Sequence, residues 1–482
     1  MVVFNRLIYL FAFISLSSYV SAQEHSDFKT NEKLRDLYIE RVSEQNASFA
    51  TTYVGEYKSK FQTLYRKRSK DAKYYAENDV YLFEPSSLEY LNTLKNKIAV
   101  ANQQFDFSGV NLVIAKFPWA NAYSTGDGTI AVIPDIVTFY DNEDQLTYLL
   151  CHEFAHYFSR HFERQITKTY DYIESDEFKD RVKEINRMEY GKNTSAVALL
   201  NDNLYSQRSH SRRYEREADS LGLVLYLNAS LCATESVNEV RKLGEMSEEF
   251  DKSSVLIFDR LGLPKSAGEP NEMMNIHDAE RESKWDLVKS HPDVEQREEW
   301  ILEEVERRQE EICETAPTDE FLKFKMQMEF ESCNILVEYD MVDAALIKSE
   351  RLRIKYPNSE YLKAISGYCM YQLYFGRKHH ELFNYSRMPS ENIKDPDLLN
   401  VLNSFYFSRL PKLRVAVYDF LKSSYTINQR DGRFLVSYAR MMNDMGIEDK
   451  GTMTKLKKRY QQFYPNGKFA KYFPYSTKHV NN

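Results

Sequence analysis

Cys151-His152-Glu153-Phe154-Ala155-His156 lies near the end of a run, Asp144 to Arg160, that reads as one helix. Positions i and i+4 share a helix face one turn apart. His152 and His156 can therefore offer two imidazole nitrogens to one ion, with Glu153 beside them. Two neutral imidazoles as ligands and an adjacent carboxylate as general base are what a zinc-dependent hydrolytic site requires. Leu146, Leu150 and Phe154 form an apolar stripe on another face. Asp141 or Asn142 suits the N-cap. His161 follows His156 by five residues, about 140° further round a continuous helix, and is read as a surface residue.

A site with two histidines needs a third protein ligand and an open position. Tyr214-Glu215-Arg216-Glu217-Ala218-Asp219, followed by Ser220-Leu221-Gly222, is the best source. Ala218, Leu221 and Leu225 give this segment an apolar helical face. Glu215 and Asp219 share a face at i and i+4. With Glu215 as ligand, Asp219 can accept the free N–H of a ligating histidine, which fixes the tautomer and raises ligand basicity. Glu217 is the rival ligand, but it leaves Asp219 on the wrong side.

Ahead of the metal helix the pattern becomes extended. Val110 to Ala115 is short, apolar and partly β-branched. Residues 121–124 form a second short strand, Gly126-Asp127-Gly128 a turn, and Thr129 to Ile133 a third strand. An edge strand beside a metal can hold a substrate backbone by strand addition. Asn121, Ala122 and Tyr123 are the candidates for that role; the other reading is an ordinary edge strand. Residues 30–105 read as a helical layer, with Ser87 as an N-cap after Glu84-Pro85.

Composition sets the outer bounds. The chain has 482 residues, 43% hydrophobic and 28% charged, with 35 Tyr, 29 Phe, 15 Gly and 13 Pro. Few breakers and much Lys, Glu and Leu favour a mostly helical protein. A net charge of −8 without a strong basic patch argues against nucleic acid as a partner. Arg6, the apolar run Leu7 to Val20 and the small residues of Val20-Ser21-Ala22 read as a cleaved secretory signal, residues 1–22. No later stretch is apolar enough to span a membrane, so the mature chain is expected to be soluble in an exported compartment. Cys151 reads as a buried apolar residue. Cys232, Cys313, Cys333 and Cys369 allow three pairings, and spacing does not choose among them.

Four spaced motifs together resemble the gluzincin zinc metallopeptidases that include the CAAX prenyl proteases, the HtpX heat-shock protease and the periplasmic protease BepA. They are Asn121-Ala122-Tyr123 with its glycine turn and following strand, His152-Glu153-Phe154-Ala155-His156, Glu215 to Asp219, and His291-Pro292 with Arg297. The resemblance covers roughly residues 100–310. It implies one zinc ion per chain held by His152, His156 and Glu215, with Asp219 behind a ligand. It also implies that His291 and Arg297 lie near the zinc. His291 can hydrogen-bond a developing oxyanion or take the fourth zinc position. Arg297 can stabilise transition-state charge or clamp the substrate backbone. Alternatively His291-Pro292 starts a helix, and Arg297 pairs with Glu295 or Glu298. His210 and His277 read as surface residues. Lacking the membrane helices of the other branches, the chain is closest to the exported BepA-like branch. That implies an exported protein, periplasmic or otherwise secreted.

From about residue 318 the chain reads as helical hairpins. Val342, Ala345, Leu346, Leu352 and Tyr356 form a stripe that stops at Tyr356-Pro357, and Tyr464-Pro465-Asn466-Gly467 echoes that stop. The spacing of the two stops does not fit a regular 34-residue repeat, yet paired helices of this composition look like a tetratricopeptide-type superhelix.

The expected fold is α+β and mostly helical. It comprises a zincin-type domain with a small sheet over residues 23–315 and a helical-repeat domain over 316–482. The expected function is zinc-dependent hydrolysis of protein or peptide substrates in cell-envelope quality control or outer-membrane assembly. The repeats would recruit clients or a cell-envelope partner. The alternative is a helical-repeat chaperone or adaptor whose zinc site is structural or self-inhibited by His291.

Overall fold

A computed structural model describes residues 30–187, 212–246, 257–266, 294–447, 449–465, 467 and 473. The described residues divide into two compact units. One holds 30–187, 212–246 and 294–328, and the other holds 257–266 and the residues from 329 onward.

The first unit opens with helices α1 (Glu32–Thr52) and α2 (Lys58–Glu77), strand β1 (Tyr81–Leu82) and helix α3 (Pro85–Ala101). Helix α3 starts earlier than its sequence suggests. Glu84 is the N-cap, its carboxylate accepting the backbone N–H of Ser86 and Ser87, and Pro85 occupies the first turn. Proline tolerates that position because its missing N–H is an orphan there. Ser87 is buried and spends its hydroxyl on Gln327.

Strands β2 (Asn111–Ala115), β3 (Ala122–Ser124) and β4 (Thr129–Val132) complete a mixed sheet in the order β1-β2-β4-β3. The β2 and β4 strands run parallel, Leu112 opposite Ile130, and both are buried throughout. This matches their near-continuous apolar runs. β3 pairs antiparallel with β4 and forms the edge. Its turn is locked rather than loose. Gly128 has φ of 87°, and a Cβ there would lie 2.1 Å from the Gly109 carbonyl oxygen. The buried Asp127 carboxylate accepts from Asn46 Nδ2 on α1 at 3.0 Å and from the Thr129 backbone at 3.1 Å.

Next come α4 (Glu143–Phe158), α5 (His161–Glu174), α6 (Asp176–Arg187), α7 (212–228), α8 (Ala233–Met246) and α9 (Val294–Arg307). Asn142 caps α4, its side chain accepting from Gln145 N at 3.1 Å, and Glu143 and Asp144 complement the positive end of the helix dipole. Leu146, Leu150 and Phe154 are fully buried, and α4 packs against β3, α3, α5 and α8. It stops at Phe158. Arg160 adopts φ of 51°, a left-handed conformation uncommon for a residue with a Cβ, and turns the chain into α5.

A disulfide joins Cys232, just after α7, to Cys313, just after α9. Asp144 on α4 binds both flanks, accepting from Cys232 N at 3.4 Å and from Thr315 Oγ1 at 2.7 Å. Cys151, Cys333 and Cys369 are free and buried.

Helix α10 (Asp319–Glu338) ends beyond residue 329. In the second unit follow α11 (Val342–Lys355), α12 (Glu360–His379), α13 (Pro396–Phe407), α14 (Leu410–Ser424), α15 (Gly432–Asp444) and α16 (Lys450–Phe463). α12 is the hub, packing on α11, α14 and α15. Its Gly367 faces the Phe434 ring, where a Cβ would sit 2.4 Å away. The stop at Tyr356-Pro357 is real: Tyr356 caps α11, and Ser359 caps α12 by accepting from Leu362 N. Residues 257–266 join this unit through Asp397, which accepts the Ile257 and Phe258 N–H groups at 2.9 Å. Among the described residues no helix is long and apolar enough to cross a membrane. The mostly helical α+β class expected from sequence is the fold observed.

The bridge closes a segment of 81 residues. In the chain-entropy description a loop of that size is worth about 4–5 kcal/mol. The Cys232→Ser/Cys313→Ser variant is expected to unfold at lower denaturant than wild type, and peptide mapping without reductant should recover a Cys232–Cys313 cross-link. An unchanged midpoint or a different cross-link would contradict the pairing.

Candidate metal centre and active site

Helix α4 brings His152 and Glu153 into the interior, 1% and 2% exposed, and leaves His156 more open. Helix α7 supplies Glu215 and Asp219, both buried. The two helices approach closely at one point. A Cβ on Gly222 would lie 3.1 Å from the Cα and N of His152, so only a bare backbone leaves α7 at that distance without a shift.

The three candidate ligand atoms converge. His152 Nε2 and His156 Nε2 are 3.0 Å apart, and Glu215 carboxylate oxygens lie 3.5 Å from the first and 3.6 Å from the second. A tetrahedral zinc with bonds near 2.05 Å requires ligand–ligand edges of about 3.3 Å. The donor set is also right for zinc, two imidazoles and one carboxylate. The residues present therefore fit the ion in both chemistry and spacing.

Behind the ligands stands a buried ion pair. His152 Nδ1 is 2.9 Å from Asp219 Oδ1, and Arg297 on α9 grips Asp219 through Nη2 to Oδ1 at 2.8 Å and Nε to Oδ2 at 2.9 Å. Arg297 is 2% exposed. Burial works against an ionised Asp219, but the Arg297 charge and the His152 hydrogen bond outweigh it and hold the carboxyl at about 2. Burial disfavours the Arg297 cation too, and the Asp219 charge more than restores it. Asp219 is thus a fixed acceptor, able to hold His152 with its proton on Nδ1 and its lone pair on Nε2. Arg297 spends these bonds on Asp219, not on Glu295 or Glu298. These bonds place it behind Asp219, as a support for the ligand His152.

His161 corrects its surface reading. The left-handed Arg160 breaks the helical count, so the ring swings back beneath His156 instead of facing solvent. It is 4% exposed, with Nδ1 at 2.9 Å from His156 Nδ1 and Nε2 at 3.2 Å from Glu217 Oε2. Glu217, the rival ligand, is engaged there. Arg164 donates to it at 2.5 Å and Arg213 at 3.0 Å, and the Arg164 contact leads in holding its carboxyl at about 2.

Asn121, Ala122 and Tyr123 lie at the start of edge strand β3, on the flank of α4; the Asn121 carbonyl accepts from Ile133 N at 3.0 Å. His291 and Pro292 lie outside the described residues, as do His210 and His277.

Two imidazoles and a carboxylate from adjoining helices, with a buried glutamate next to the first histidine, define a metal-dependent hydrolase centre. Residues 86–305 match the model described as Peptidase family M48, a span that contains every residue of this centre, and the match supports a zinc metallopeptidase. No curated protein matches the chain.

Two substitutions separate the supports from the ligands. Arg297→Met leaves a buried carboxylate uncompensated and should destabilise the first unit by about 3–5 kcal/mol in denaturant unfolding. Asp219→Asn should weaken zinc binding by about 10- to 100-fold in chelator competition. Wild-type values in both would show that the pair carries no structural or electrostatic burden.

Proposed function

We propose that this chain is a zinc-dependent endopeptidase, exported and most at home in the periplasm, that hydrolyses protein substrates in cell-envelope quality control or outer-membrane assembly. The carrying observation is the triangle of His152, His156 and Glu215, with Asp219 fixing one ligand and the buried Glu153 next to it in sequence. A purely structural zinc site has no use for that glutamate. The Cys232–Cys313 bridge supports an oxidising compartment.

Zinc, when bound, supplies a Lewis acid for the scissile carbonyl and lowers the pKa of water. The chain supplies the rest. His152 and His156 present Nε2, and Asp219 keeps the His152 proton on Nδ1. Glu153 takes the proton of the attacking water and returns it to the leaving amine. Asn121 to Ser124 align an extended peptide along the edge strand β3. His291 donates to the oxyanion or restrains the resting site. The helices of the second unit, read as tetratricopeptide-like repeats, recruit clients.

Glu153→Gln should keep zinc at wild-type stoichiometry and lose about 10²- to 10⁴-fold in turnover of an unfolded protein substrate. Cleavage by wild type should vanish with chelator and return with zinc. Persistent hydrolysis by the Glu153→Gln chain would remove Glu153 as base. His291→Ala should change kcat with zinc retained; unaltered kinetics would assign His291 no part in the site.

A further inference from the structure

The two imidazoles of the metal triangle are supported differently. Behind His152 stands a carboxylate, Asp219, at 2.9 Å. Behind His156, at the same 2.9 Å, stands another imidazole, that of His161. His156 is also the more exposed ligand, its side chain 17% accessible against 2% for His152, so packing alone constrains it less.

We infer that His161 is a positioning residue that sets the tautomer and orientation of His156, with Glu217 as the carboxylate that closes the relay. The inference rests on the metal reading above. The proton count allows one direction. An imidazole that offers Nε2 to a metal carries its proton on Nδ1. His156 therefore donates from Nδ1, and His161 Nδ1 is the atom placed to accept. A neutral His161 with a lone pair on Nδ1 carries its proton on Nε2. That nitrogen lies 3.2 Å from Glu217 Oε2, an acceptor. Arg164 and Arg213 donate to Glu217 in turn. Every donor in the row meets an acceptor. With the row reversed, a bare His161 Nε2 would face the Glu217 carboxylate lone pairs, and His156 would carry its proton on the nitrogen meant for the metal.

The surroundings hold the His161 ring in place. Tyr214 stacks on it with centroids 4.7 Å apart and planes 22° apart, and the Arg164 guanidinium sits 4.6 Å from the Tyr214 ring centre. At 4% exposure the His161 ring leaves little room for solvent to replace it as acceptor. Tyr214 and Glu217 come from the same helical turns that carry Glu215 and Asp219. Helix α7 therefore provides a ligand and both supporting carboxylates, one reaching its histidine directly and the other through His161.

The test uses the full mature chain, zinc affinity by chelator competition, and the visible spectrum of the cobalt(II) form. His161→Leu removes the acceptor; His161→Gln restores an oxygen acceptor toward His156 and an N–H toward Glu217. His161→Leu should bind zinc about 10- to 100-fold more weakly, with an altered cobalt spectrum, while His161→Gln should stay within about threefold of wild type. Equal affinity and spectra for wild type and His161→Leu would overturn the inference, as would equal impairment of the Leu and Gln variants. Should His161→Leu not fold, Glu217→Ala decides. It lies near the surface and leaves the ring in place, and it should lose affinity that Glu217→Gln recovers; wild-type affinity in Glu217→Ala overturns the relay. A wild-type chain that binds neither metal would instead remove the metal reading itself.

Discussion

The site depends on one steric condition, the backbone-to-backbone approach of α7 to α4 at Gly222. With the His152 backbone 3.1 Å from where a Cβ would stand, the helices cannot accept a side chain there unless one of them gives. Glu215 and Asp219 lie two turns and one turn before that contact, on the face turned toward α4. Ligand spacing is therefore decided at a residue that bonds no metal. The disulfide and the Asp144 hydrogen bonds secure the C-terminal end of α7 against the start of α4. The Arg297–Asp219 pair secures the middle.

Electrostatics complete what packing begins. The interior of the first unit holds Glu153, Glu215 and Asp219 close together, with Arg297 as the buried cation that answers them. Glu239 lies in the same region, and burial raises its pKa while the Tyr140 hydroxyl donates to it at 2.7 Å. Such a concentration of carboxylates is tolerable only where each negative charge has a donor, a counter-cation or a proton. A divalent cation among them would relieve the same strain, and in this sense the acidic interior and the ligand triangle are one design.

What the sequence discloses is what repeats over short distances. The α4 stripe, the i and i+4 histidines, the Glu215–Asp219 spacing, the glycine turn before β4 and the stop at Tyr356-Pro357 are all local patterns, and each appears in the fold where the pattern puts it. What it conceals is long-range or depends on a single broken turn. Nothing in the spacing of Asp219 and Arg297, 78 residues apart, announces a bidentate pair. The Cys232–Cys313 bridge was one of several equal pairings. His161 reads as solvent-facing only if the count of 100° per residue runs on through Arg160, where the helix has already ended. A positive φ at a residue with a Cβ leaves no signature in composition.

Strand β3 is three residues long, roughly 10 Å of backbone. On the proposed reading, a peptide added to that edge is gripped over little more than the residues flanking the cut. The hairpin behind it is already rigid, anchored by Asp127 to α1, so nearly all the ordering on binding falls on the substrate. A short, preformed edge discriminates by conformation more than by side chain. On the proposed reading it would accept whatever chain can be drawn out straight and refuse whatever stays folded, and the foldedness of a client, rather than its sequence, would be the first thing the site measures.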